Sequence, residues 1–134
     1  MPKFHTPKEG FPRLVVSDAD AAIRFVQEAL GGALIERYAG ENGQVVHSKL
    51  SLGNFVISLV DEVTDWGWLS PMSLGGSPVL IHLEFEDCDT VAKRMLAHKA
   101  EIIIPIKDRP YGKREGRLRD PFGHLWVLTQ PLTE

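Results

Sequence analysis

Apolar and polar positions along this chain run through one programme twice. Phe11 to Val16 is a short apolar run after a polar start and predicts a first strand. Asp18 and Asp20 offer first-turn carboxylates for a helix striped by Ala22, Ile23, Phe25, Val26, Ala29 and Leu30, which Gly31-Gly32 stops. Strands follow over about 33–38, 45–52 and 55–60, the last two joined by a turn at Leu52-Gly53-Asn54. The pattern then restarts. Val79 to Phe85 predicts a strand, Asp87 and Asp89 repeat the capping pair, and Val91, Ala92, Met95, Leu96 and Ala100 mark a second helix. A strand over 101–106 leads to a hairpin that turns at Asp120-Pro121-Phe122-Gly123.

Asp18-Ala19-Asp20 matches Asp87-Cys88-Asp89, and the Gly53 turn matches the Gly123 turn, each about 70 residues apart. The chain therefore reads as one domain, residues 1–134, of two βαβββ modules in an α+β fold. Module one covers about 11–61, module two about 79–131, and 62–78 reads as a linker rather than an element. The linker holds Trp66, Trp68 and Met72, which pack on the protein's own sheet, a ligand or a second subunit.

Composition narrows the class of partner. A formal net charge of −3 argues against nucleic acid, which needs clustered Lys and Arg. The basic stretch from Lys107 to Arg119 is interrupted by Asp108, Glu115 and Gly116 and reads as a solvated edge. Cys88 is the only cysteine, so neither an intrachain disulfide nor a cysteine metal cage can form, and its Asp neighbours disfavour a thiolate. A polar N-terminus and the lack of a long apolar run predict a cytoplasmic protein with no membrane partner.

Two βαβββ modules, the Val-Ser-Asp and Phe-Glu-Asp strand ends and Asp-Pro-Phe-Gly-His-Leu-Trp resemble the vicinal oxygen chelate superfamily. That superfamily includes glyoxalase I, fosfomycin resistance enzymes, extradiol dioxygenases and bleomycin resistance proteins. The likeness extends to its PhnB-like branch through Leu74-Gly75-Gly76-Ser77-Pro78 and Tyr111-Gly112-Lys113-Arg114-Glu115-Gly116. It implies a curved mixed sheet around a cavity, and a homodimer. Metal-dependent members place a ligand in the first and last strand of each module. Counted from the aspartates and turn glycines, those positions are Phe11, Leu80, Ile57 (or Ser58, one residue on) and Val127. Phe, Leu, Ile and Val donate nothing to a divalent ion, so no metal and no cofactor are expected.

Strand alternation sends Val79, Ile81, Leu83 and Phe85 toward a helix and Leu80, His82 and Glu84 toward the cavity. Phe11, Arg13 and Val15 face the cavity from the first strand, and Leu125, Val127 and Thr129 from the last. One reading makes Arg13 and Glu84 a structural salt bridge with His82 a satisfied neighbour. The other has Arg13 engage an anionic or carbonyl group while His82 and Glu84 orient a ligand or exchange protons. His47 is a strand-edge or cavity histidine, and His124 faces the helix. Tyr111 and Arg114 gate the pocket mouth or serve a plain hairpin, and Trp66 and Trp68 are candidates to stack on a flat ligand.

Three functions follow. The first is a metal-free protein that binds or sequesters a hydrophobic or aromatic small molecule. The second is a metal-dependent lyase, isomerase or dioxygenase with a displaced His47, His82 and Glu84 site. The third is a metal-free enzyme with His82 or Glu84 as base. The apolar cavity and the missing donors favour the first.

Overall fold

Each half of the chain folds as a strand, a helix and three further strands. The computed structural model describes residues 4–132. Its elements are β1 (Arg13–Val16), α1 (Ala19–Leu30), β2 (Ala33–Ala39), β3 (Val45–Leu52), β4 (Phe55–Asp61), α2 (Pro71–Leu74), β5 (Leu80–Glu84), α3 (Cys88–Ala97), β6 (Glu101–Asp108), β7 (Lys113–Arg119) and β8 (Leu125–Pro131). The sheets are ordered β1-β4-β3-β2 and β5-β8-β7-β6, and neither closes into a barrel. In each, the first strand runs parallel to the last, and the other pairings are antiparallel.

The helices begin and end where their sequences dictate. Asp18 and Asp87 cap α1 and α3 by accepting from the amides of Ala21 and Thr90, each at 3.1 Å. Gly31, at φ 70°, ends α1 in the left-handed region that glycine enters without strain. A second pair of contacts shows how deep the repeat goes. Asp61 on β4 accepts from the Ala19 amide at 2.8 Å, and Gln130 on β8 accepts from the Cys88 amide at 2.8 Å. Both tie a helix start to the strand beside it, and the residues correspond at a spacing of 69 positions.

Leu14, Val16, Ile57 and Leu59 from one sheet and Ile81, Leu118, Trp126 and Leu128 from the other join α1 and α3 in a single buried core. Phe25 on α1 meets Phe122 of the β7–β8 turn edge to face at 6.3 Å. His124 Nε2 donates to the Val15 carbonyl at 2.9 Å, fastening that turn to β1. Because the helices cover one face of each sheet, the opposite faces are open.

Three sequence expectations are corrected. The first strand starts at Arg13, not Phe11, because Pro12 has no N–H to donate, although its carbonyl accepts from Ser58 at 2.9 Å. Val79 lies outside β5: its amide turns to Ser77 Oγ at 3.3 Å and its side chain is exposed. The linker is not without elements. Residues Thr64–Trp66 form a 3₁₀ turn, and α2 starts at Pro71 behind a Ser70 cap.

Candidate functional site

The open faces carry the polar groups, and strand pairing decides which of them are neighbours. β1 pairs with β4 through Arg13↔Ser58, and β5 pairs with β8 through His82↔Val127. These pairs correspond at 69 positions, so Ser58, not Ile57, is the counterpart of Val127. Ile57 belongs to the helix-covered core. The slip came from the turns. The β3–β4 turn has two residues, between Leu52 and Phe55, whereas the β7–β8 turn has five, between Arg119 and Leu125. The two glycines are therefore not equivalent. The strand neighbours of Ser58 and Val127 are likewise Arg13 and His82, rather than Phe11 and Leu80.

On the first open face, Arg13 Nη2 donates to His47 Nδ1 at 2.8 Å, and His47 Nε2 meets Glu36 Oε2 at 2.6 Å. A guanidinium only donates, so Nδ1 must accept and Nε2 must carry the proton given to Glu36. That bond holds the Glu36 carboxyl below its usual range. The Arg13 guanidinium lies 5.8 Å from the Trp68 ring centroid, and Trp68 in turn packs edge to face on Trp66 at 5.0 Å. Phe11 lies beside the same face, with the Lys49 ammonium 5.3 Å from its ring centroid. Lys49 is ion-paired with Glu9, which raises its pKa.

On the second open face, Leu80, His82 and Glu84 are exposed along β5. Glu84 pairs with Lys113 of β7 at 2.8 Å. Hence neither the Arg13–Glu84 salt bridge nor the displaced His47, His82 and Glu84 metal set exists within one chain. Arg13 and His47 bond each other, and Glu84 pairs with Lys113. Val127 lines a cavity of about 320 Å³ with Ile104, Arg109, Tyr111, Glu115 and Arg117. Tyr111 donates to Glu115 at 2.8 Å, and that bond raises the phenol's pKa. Arg114, a candidate for the pocket mouth or for a plain hairpin role, points to the helix side. It clamps Asp89 at 2.7 and 3.1 Å and Asp108 at 2.9 Å, holding the Asp89 carboxyl low.

Three buried side-chain atoms among the described residues lack a hydrogen-bond partner: Ser58 Oγ, Thr129 Oγ1 and Arg117 Nε. Alternation against the core residues Ile57, Leu118 and Leu128 puts all three on the open faces. Buried polar atoms are ordinarily satisfied, and no described residue supplies the bond that these three would ordinarily make. Thr129 was expected to face inward; Arg117, Lys49 and Glu36 were not singled out. Arg117 follows from alternation in β7 once Leu118 is recognised as core. The Glu36–His47 contact spans a bulged pairing that local patterns do not reveal.

The metal chemistry that the resemblance implies would meet the wrong side chains here. Arg13, Ser58, His82 and Val127 bring one imidazole and one hydroxyl, which do not make a divalent-metal site. Among the described residues no group of three or more His, Cys, Asp or Glu side chains gathers around a common point. Cys88 is buried at the start of α3, where desolvation pushes its thiol up.

Residues 10–128 match the Glyoxalase/Bleomycin resistance protein/Dioxygenase superfamily, and the chain belongs to it. An uncharacterised protein of Mycobacterium bovis is 38% identical over 126 residues, covering 92% of this chain and 83% of its own. TioX from Micromonospora sp. ML1 superposes with a TM-score of 0.70 at 26% identity, covering 92% of this chain and 99% of TioX. The fosfomycin resistance protein FosX of Listeria monocytogenes has the same fold, with a TM-score of 0.71 at 16% identity and coverage of 92% and 93%. No helix of the chain is long and apolar enough to cross a membrane.

Proposed function

We infer that this protein binds or sequesters a small molecule without a metal, in cavities built on the open sheet faces and completed by a second copy of the chain. The carrying observation is the placement of the three unpartnered buried polar atoms, all on those faces. Apolar surface on the open faces of the same sheets supports the second copy, since Tyr38, Leu80 and Ile104 are exposed. Arg13, His47 and Glu36 give one face a fixed polar network, with Trp68 and Phe11 as its apolar neighbours. His82 and Glu84 serve the other face by orienting the ligand. The sequence stretches at residues 74–78 and 111–116 support a place in the PhnB-like branch, and the single buried cysteine suits a reducing compartment such as the cytoplasm.

Native mass spectrometry of protein purified gently and without chelator, with metal analysis of the same sample, tests this reading. A dimer carrying a co-purified or added small molecule and well under one metal per chain is expected. Stoichiometric metal, or a monomer that retains no small molecule, would overturn it.

A further inference from the structure

The two modules treat one shared feature differently. Continuing the ladder Leu50↔Ile57 by one step sets Lys49 opposite Ser58, as Arg117 stands opposite Val127. Both open faces thus carry a cation at the corresponding place. Lys49 is neutralised by Glu9 and covered by the Phe11 ring. Arg117 has neither partner. Among the described residues no carboxylate pairs with it, and its Nε is out of water with no acceptor.

The surroundings of Arg117 define what fits. Its cavity of about 320 Å³ is walled by Ile104, Val127, Gly116 and the Tyr111 ring, a size and lining suited to a small organic molecule. Arg109 shares the cavity but spends its guanidinium on backbone, donating to the Glu115 carbonyl at 3.1 Å and the Pro105 carbonyl at 2.6 Å. Glu115 accepts from Tyr111, which holds that carboxylate away from an ion pair with Arg117. Two guanidinium groups therefore face one carboxylate, and an apolar floor lies beneath them.

We propose that the module-two cavity takes a small carboxylate with an apolar or aromatic body, its anionic end held by Arg117 and its body against Val127 and Ile104. This deepens the binding reading above and rests on it. A planar guanidinium donates two parallel bonds to a carboxylate, whose oxygens accept them, and the outer nitrogens of Arg117 face the cavity it lines. Val127, where metal-dependent relatives would hold a donor, instead forms apolar wall.

Titrating the isotope-labelled full chain with benzoate and with benzamide, followed by amide chemical shifts, tests the proposal. Benzoate is expected to shift Arg117, Val127 and Tyr111 and to bind at least about tenfold more tightly than benzamide. Arg117→Gln abolishes that preference, Arg117→Lys restores part of it, and Arg24→Gln, the same charge change on α1, leaves it intact. Equal binding of the two probes overturns the carboxylate assignment while leaving small-molecule binding in place. Shifts confined to the Arg13 and Lys49 face, or none, overturn the location. The wild-type comparison decides the matter even if Arg117→Gln does not fold.

Discussion

Module one and module two share a backbone plan but not a surface. At matching positions they present Arg13, Ser58 and Lys49 against His82, Val127 and Arg117. In module one the cations are engaged: Arg13 with His47 and Trp68, Lys49 with Glu9 and Phe11. In module two the corresponding arginine is unpaired over an apolar floor. The repeat gives two equivalent addresses, and the contacts from neighbouring segments decide which cation is left without a partner. The β3–β4 and β7–β8 turns differ in the same spirit. The first is a two-residue turn, and the second is built around a buried carboxylate.

That carboxylate is Asp120, which accepts from the amides of Phe122 and His124 at 2.8 and 3.0 Å and from Trp126 Nε1 at 2.8 Å. Removing it strands three donors, two of them next to the core. Asp120→Ala is expected to cost about 3 kcal/mol in thermal or urea unfolding. The matched change in the other turn, Asn54→Ala, should stay within about 0.5 kcal/mol. Equal effects would contradict the view that only one turn is a fastening point.

The next effect is steric. A Cβ at Gly116 would stand 2.5 Å from Ile106 Cγ1 and 2.8 Å from its backbone. Gly116→Ala should therefore destabilise by about 2 kcal/mol in thermal or urea unfolding. The facing position of module one is Ser48, whose Oγ bonds the Leu59 amide and carbonyl at 2.7 and 2.6 Å. Ser48→Ala there loses hydrogen bonds rather than space, at a cost of about 1 kcal/mol.

Acid stability separates another matched pair. Hydrogen bonds from Arg37 and Arg114 hold Asp20 and Asp89 below the ordinary 3.8. A carboxyl lowered on folding stabilises the native state above its unfolded pKa and loses that contribution as pH falls through the native value. Burial acts oppositely on Asp120, raising its pKa, so that group favours folding below 3.8 and loses this as pH rises through its native value. Asp89→Asn should cost about 0.5 kcal/mol at pH 7, since the pair is partly solvated, and should flatten the decline of stability below pH 4. An unchanged acid limb in urea melts at a series of pH values would remove this pair from the account.

The smallest predicted effect sharpens the comparison most. Glu9→Gln releases Lys49, so benzoate should then also shift amides near Lys49 and Phe11, weakly, with stability nearly unchanged. If module one stays silent, Glu9 is not what closes it.

Local patterns carried most of the fold. The capping aspartates, the helix stripes and the alternation in β5 and β8 are written within short windows, and so were the two modules. Register was harder, because two glycine turns of unequal length look alike in one dimension. The site was less legible than the fold. Arg117 is recognisable as special only when the partners of every other cation are known, and Lys49 is neutralised by a residue 40 positions upstream. The Glu84–Lys113 and Arg13–His47 pairs stand where one of two readings put an Arg13–Glu84 bridge, for the same reason: pairing across strands is non-local.

A crystal structure of the protein purified without chelator and grown with benzoate tests the central claim most directly. The account predicts two copies closing over their open faces and a carboxylate within hydrogen-bond distance of Arg117, above Val127. Open faces left to solvent, or Arg117 satisfied by a protein carboxylate with no molecule beside it, would contradict it.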